Sequence, residues 1–432
     1  MAYKNYPDWS DCKRLLDQID MYALMKHEYD SPDLEEHIKG VCDSLKDWLE
    51  KIKALPIDES ILPREPDDLE TIRKLRPDGP RRLWKNFDAK SYDERIMGAL
   101  LGRFAGCTLG AAVEGWSVER MEQWAVETGD VFPPTDYWSK SPTPTYLRYD
   151  RSRFEEYTKG NIVAVPADDD VAYTLLGLIM MEEHGLEFTT DDVARMWDRY
   201  LNWIFTDMEN AMKLWRNGVP AQNMADNNPF GQLICADIRC DPFGYVVPGR
   251  PEDAAALAYK DSYASHRRNG LYGGMFFAAA ISAAFAMDHP IDAIKAGLAE
   301  IPYESELARG IRWTLETDAD DYKEARRLVD ERYSGMPMPH TINNACLTVF
   351  GLKIGGRDVT KVISETVAMG IDNDCSAATA GSIVGAVVGK NGIPEHWYKP
   401  FNNKIHTYIK DHKVFYIDDV AARYAKLASG TF

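Results

Sequence analysis

The sequence predicts an all-α fold, a compact orthogonal bundle of many helices, and three observations carry that expectation. Apolar residues recur at helical spacing in segment after segment, from Leu15, Ile19, Tyr22 and Ala23 to Leu175, Leu176, Ile179 and Met180. No strand-like alternation persists for long. Two segments carry glycine at every fourth position: Gly98, Gly102, Gly106 and Gly110 in one, Gly381, Gly385 and Gly389 in the other. A glycine inside a helix costs roughly 1 kcal/mol against alanine. A stripe of them therefore needs a reason, and close approach of another backbone supplies one. The two stripes are expected to pack against each other at the centre of the molecule.

Taken in order, residues 1–90 read as an N-terminal helical extension. A second helix there carries Val41, Leu45, Leu49 and Ile52, and the proline- and charge-rich stretch from Ala54 to Pro80 reads as a connector. The extension is expected to cover part of the helical core or to form a subunit contact, which leaves an oligomer open. Residues 91–432 form the main domain. Its first glycine-striped helix ends near Gly110, and Glu114 follows just before Gly115-Trp116.

Residues 130–165 are irregular and aromatic, with Pro133, Pro134, Pro142 and Pro144 among Tyr137, Trp138, Tyr146 and Tyr149. Such a stretch suits either a lid or plain packing. Asp168, Asp169 and Asp170 open an apolar helix, and Thr189 to Asp192 open the next with capping chemistry. An alanine-rich helix over 253–265 ends in Ser265-His266. Helices follow at about 275–288, 291–299, 305–315 and 322–331, and His340–Asn344 caps another. Asp372 and Asp374 sit where a turn feeds the second glycine-striped helix.

The bulk numbers exclude several classes. A chain of 432 residues can bury one large core or two. Its net charge of −18 and lack of a basic run argue against nucleic acid as a partner. The N-terminal MAYKNYPDWSDCKRLLDQ has no apolar signal region. Cys375–Gly389, a charge-free run of small residues, is too short to span a bilayer. No membrane association is expected. Seven cysteines, scattered and without CxxC spacing, suit a reducing cytoplasm.

Three blocks of this sequence resemble the ADP-ribosylglycohydrolases, the dinitrogenase-reductase-activating and ARH-type hydrolases. They are Gly98–Glu114, Ala167–Leu178 and Gly370–Gly389 (GIDNDCSAATAGSIVGAVVG), with Ile393-Pro394-Glu395-His396-Trp397 resembling the closing I-P-x-x-W. The resemblance implies the fold named above, of the ADP-ribosylglycohydrolase type, with residues 91–432 as its catalytic domain. It implies hydrolysis of an N- or O-glycosidic bond to ribose, in a small molecule or an ADP-ribosylated protein. Glu114 is implied to lie over the scissile bond and activate water, with Asp169 and Asp374 as further catalytic residues. Arg239, His266, Tyr272 and Gly273 are implied to bind substrate.

The acids suit hard divalent cations, which want several oxygen ligands. Asp168, Asp169, Asp170, Asp372 and Asp374 are the expected ligands of one or two ions, Mg²⁺ or Mn²⁺. Histidines and cysteines lack zinc-ligand spacing. Acids placed ahead of helices also serve as N-caps, which is the plain structural alternative. Several positions depart from the family pattern: Cys107 stands where an aspartate is common, and Asp170 replaces a hydroxyl with a carboxylate. Ala167 and Cys375 stand where threonines are expected, and the soft sulfur of Cys375 predicts one tight ion and one weak one.

A block at 228–249 departs as well. Ile234-Cys235 replaces Asn-Gly, and Asp237 and Asp241 bring acid to a region that faces a diphosphate in the family. That leaves open a ribosyl glycoside without a diphosphate, or a non-catalytic crystallin-like relative. A terpene-cyclase D-D-x-x-D motif fails at Ala172. A phosphohydrolase would bring Lys or Arg to the clusters, and none flanks them.

Overall fold

A computed structural model of the chain describes residues 6–140, 152–226 and 228–432. It divides into two compact units, residues 1–63 with 332–336, and residues 64–331 with 337–432. The smaller unit carries α1 (Ser10–Glu28) and α2 (Leu34–Lys53), and neither helix has a buried residue.

The larger unit begins with α3 (Leu69–Leu75), α4 (Ala89–Ala111), α5 (Val118–Thr128), α6 (Asp169–His184), α7 (Thr190–Tyr200) and α8 (Thr206–Arg216). The short α9 (Cys235–Ile238) and α10 (Asp241–Val246) lead into α11 (Pro251–Ser262), α12 (Arg268–Ala284), α13 (Pro290–Leu298) and α14 (Glu306–Glu316). Next come α15 (Tyr322–Arg332), α16 (Thr341–Gly355), α17 (Val359–Ala368), α18 (Asn373–Val388), α19 (Glu395–Tyr398) and α20 (Ile417–Ser429). The fold is all-α, as expected. A small antiparallel ribbon, β1 (Lys404–His406) with β2 (Val414–Tyr416), escapes the sequence reading. Three residues per strand are too few to show an alternation.

The helix boundaries follow local chemistry. Asp88, Ser117 and Asp358 accept backbone N–H groups at the starts of α4, α5 and α17. Thr189 and Asp192 form a reciprocal capping box on α7. His340 caps α16 through Nδ1, which accepts from the amide of Ile342.

Helices α4 and α18 run antiparallel and form the most extensive helix–helix contact among the described residues. The glycine stripes explain it. A Cβ added to Gly98, Gly102 or Gly106 would lie closer than 3.0 Å to the carbonyl oxygen of Gly385, Gly381 or Ala377 respectively. A Cβ on Gly110 would strike the backbone of Asp374. Backbone thus packs on backbone along four turns, and the last contact fixes the first turn of α18.

Of the aromatic segment, Tyr137 and Trp138 are buried. Tyr137 donates to the carbonyl of Trp397 at 2.6 Å, and Trp138 Nε1 to that of Leu109 at 3.0 Å. Pro142, Pro144, Tyr146 and Tyr149 lie outside the described residues. No helix among the described residues is long and apolar enough to cross a membrane.

Candidate active site

The C-terminal end of α4 and the N-terminal ends of α6 and α18 meet at one place. The glycine contacts bring α4 and α18 together, and a backbone bond completes the join: the amide of Gly115 donates to the carbonyl of Ile371 at 3.0 Å. Gly370 and Ile371 both take left-handed backbone (φ +71° and +65°). For isoleucine that conformation is strained, and such strain tends to collect at functional turns. The turn sets Glu114 beside Asp372 and Asp374.

Three clusters of ligand atoms result, each with its atoms within 4.8 Å of one another: Glu114, Asp372 and Asp374; Asp170, Asp374 and Cys375; and Cys107, Asp168 and Asp170. Glu114 is exposed, Asp168 half-buried, and the others buried. The partially positive N-termini of α6 and α18 favour carboxylates here.

The capping alternative is met by one residue. Asp168 caps α6, its Oδ1 accepting from the amide of Asp170 at 3.0 Å. Asp372 stands at the N-cap position of α18 and makes no side-chain cap. Asp372 Oδ1, Asp374 Oδ1 and Asp170 Oδ2 are buried without a hydrogen-bond partner. Orphaned buried carboxylate oxygens are costly unless something else binds them.

The protonation equilibria tell the same story. Burial pushes Asp374 well above the usual carboxylate range, with Glu114 and Asp372 adding repulsion. Burial, then Asp168 and Asp170, do the same to Asp169. Glu114 is pushed up to about 7 by burial and by Asp372 and Asp168, and Asp170 up to about 8 by burial against the pull of Arg103. So many carboxylates cannot all ionise together without a cation. The donors fit a divalent ion. The cluster of Glu114, Asp372 and Asp374 is all oxygen, as Mg²⁺ or Mn²⁺ prefers; each of the others includes a cysteine sulfur.

One supporting residue was not anticipated. Arg103 is fully buried, pairing with Asp241 at 2.8 Å and Asp170 at 3.0 Å. It also donates to Thr174 Oγ1 and to the carbonyls of Asp170 and Ile238. The available signal was a lone arginine within the apolar run ALLGRFAGCTLG. Its partner Asp241 therefore lies inside the core, bonded to Arg103 and to the Tyr245 hydroxyl. That corrects the reading of Asp241 as added charge at a substrate face.

The other expected residues divide. Asp169 adjoins the clusters without belonging to one. Arg239 is buried, bound to Asp261 at 2.8 Å and Asp207 at 3.5 Å, and stacked on Trp197. His266 is fully buried between Ser265 Oγ and the carbonyl of Leu233. Tyr272 donates to the carbonyl of Pro66. These three sit in the interior with their polar atoms engaged by protein, Arg239 because the acids of α8 and α11 face it across the core. Gly273 differs: its Cα abuts Asp237, whose Oδ2 accepts from Thr341 while Oδ1 is buried and unpartnered. Ser376 turns away from the clusters to Asn344 at 3.3 Å.

The comparisons with known proteins now have a geometry to meet. A family model described as ADP-ribosylglycohydrolase matches residues 88–429. A solved structure described as an ADP-ribosylglycohydrolase-related protein complex is similar at a TM-score of 0.55 and 17% identity, over 79% of this chain and 100% of the other. At that identity it shows the shared fold. No curated protein matches the chain in sequence.

Proposed function

The chain belongs to the ADP-ribosylglycohydrolase family and is a glycosidase, and from that premise we propose that it hydrolyses the glycosidic bond of ADP-ribosyl conjugates with the help of Mg²⁺ or Mn²⁺. The observation that carries this reading is the all-oxygen cluster of Glu114, Asp372 and Asp374, with two Asp oxygens that no protein group satisfies.

Asp372 and Asp374 would hold one ion tightly, beside Glu114; Asp168, Asp169, Asp170 and Asp374 would serve a second, weaker one. A bound divalent cation supplies an electrophile that fixes ribose hydroxyls and offsets negative charge. Glu114, the exposed member of the cluster, accepts the proton of the attacking water. The fixed carboxylates around it favour the positive charge that develops on the ribose ring as the bond breaks. Arg103 anchors Asp170 from behind, so the carboxylate keeps its direction while the site charges and discharges.

A second reading has a specific observation behind it. Arg239 is spent on Asp207 and Asp261, and the buried Asp237 faces Gly273 with a free oxygen. That leaves Arg239 unavailable to a diphosphate, which favours a ribosyl glycoside lacking one. No disulfide joins the seven cysteines, which supports a reducing compartment, the cytoplasm.

Calorimetric titration of ADP-ribose into Mg²⁺-loaded protein, repeated after EDTA, tests the main reading. Metal-dependent micromolar binding is expected. Binding of a nucleoside but not ADP-ribose by the same loaded protein would replace it with the second reading.

A further inference from the structure

The smaller unit poses a physical problem. A helical hairpin persists by burying its apolar stripes, because isolated helices of this length are marginal in water. Yet α1 and α2 bury nothing. Ile38, Leu45, Trp48 and Ile52 are 43%, 46%, 61% and 48% exposed. On α1, Leu15, Ile19 and Tyr22 stand open in the same way.

The pattern on α2 says what covers it. Leu34, Ile38, Val41, Leu45, Trp48 and Ile52 follow spacings of four, three, four, three and four. That is a heptad seam, whose complement is another helix. The seam is also symmetric about residue 43. In an antiparallel pairing of two copies, Leu34 meets Ile52, Ile38 meets Trp48, and Val41 meets Leu45. The first turn carries Glu35 and Glu36 and the last turn Lys51 and Lys53. The same pairing sets Glu35 level with Lys51 and the N-cap Asp33 level with Lys53 of the other copy, acid against base at both ends, while Glu36 meets Glu50.

We propose that the hairpin is a homodimerisation element: α2 pairs antiparallel with α2 of a second copy, and the two α1 helices complete a four-helix bundle. Half-exposed large side chains leave on the order of 100 Å² each. Those on the two helices sum to on the order of 800 Å² per copy, the per-partner area of a standard stable interface. The two-fold axis makes the contact isologous and closes the assembly at two.

Sedimentation equilibrium of the full chain tests this. The expected mass is twice 48.9 kDa. Leu45→Asp with Trp48→Asp should give a monomer that keeps its glycosidase activity. Asp33→Lys with Glu35→Lys should raise the dimer dissociation constant about tenfold, and Lys51→Glu with Lys53→Glu likewise. Combining all four should restore the wild-type value to within about threefold, a readout that loss of folding cannot mimic. A chain monomeric at about 100 µM would overturn the proposal, whether the hairpin meets another protein or its own chain. A dimer indifferent to Leu45→Asp and Trp48→Asp, or charge swaps that fail to rescue, would overturn it equally.

Discussion

Gly102 on α4 and Gly381 on α18 each occupy the space into which the other's Cβ would project, with the partner's carbonyl oxygen in the way. The same antiparallel contact runs on to Gly110, which touches the backbone of Asp374. Core packing and the position of a site carboxylate are therefore one feature of the structure.

Replacing Gly102 or Gly381 by alanine should destabilise the protein. Helix propensity alone would favour the change by up to about 1 kcal/mol. Forcing two backbones apart costs about 1–3 kcal/mol or more, so the clash wins. Urea unfolding of Gly102→Ala should show a clear loss. Gly40→Ala, where nothing lies within 4 Å, should show none.

Arg103→Met should cost about 3–5 kcal/mol, since it strands Asp170 and Asp241 as unpaired buried acids. Thermal unfolding reads the loss, and adding Asp241→Asn should recover part of it. Full stability in Arg103→Met alone would remove the anchoring role.

Asp374→Ala should abolish hydrolysis with the fold intact. Its melting temperature without metal should be no lower than wild type, because a repelled, unpartnered carboxylate is removed. Glu114→Gln should lower kcat while leaving ligand affinity near normal. Wild-type turnover by folded Asp374→Ala would contradict the ligand assignment.

Mn²⁺ should bind with one tight equivalent and one weak one, the weak ion at the cluster with the sulfur of Cys375. Cys375→Thr, which supplies an oxygen, should tighten the second. Anomalous scattering from Mn²⁺-soaked crystals with two equally full wild-type sites would refute this.

The two buried histidines should oppose the fold as the pH falls from 6.5 to 4, while the raised site carboxylates act in the other direction. Burial holds His266 and His340 down to about 4, and His340 Nδ1 is already occupied in accepting the Ile342 amide. The unfolded chain takes up these protons near 6.5, before the folded one does, so the histidines' contribution to stability rises with pH across that window and is complete above it. Each histidine contributes about 3 kcal/mol over the full interval. The urea midpoint of His340→Asn, which can keep the cap, should rise relative to that of wild type as the pH is lowered from 7 to 4.5.

Much of the core was legible because its signals are local. Glycine every fourth residue has one economical explanation in a helix, and the α4–α18 contact follows from it. Asp168 to Asp170, Asp372 and Asp374 were visible as acids at helix starts, and Glu114 as an acid after a helix. Arg239, His266 and Tyr272 were placed with the substrate by resemblance, but the acids that claim Arg239 come from Asp207 and Asp261, distant along the chain.

The sequence by itself determined the helices, the paired glycine faces and the stock of carboxylates, because periodicity and capping act within a few residues. Only the tertiary structure decided which acids are spent and which stay free. Asp168 caps a helix and Asp241 pairs with Arg103, while Asp372 and Asp374 keep unpartnered oxygens. That allocation depends on which charges meet across the core, a matter of distances between segments that no local pattern records.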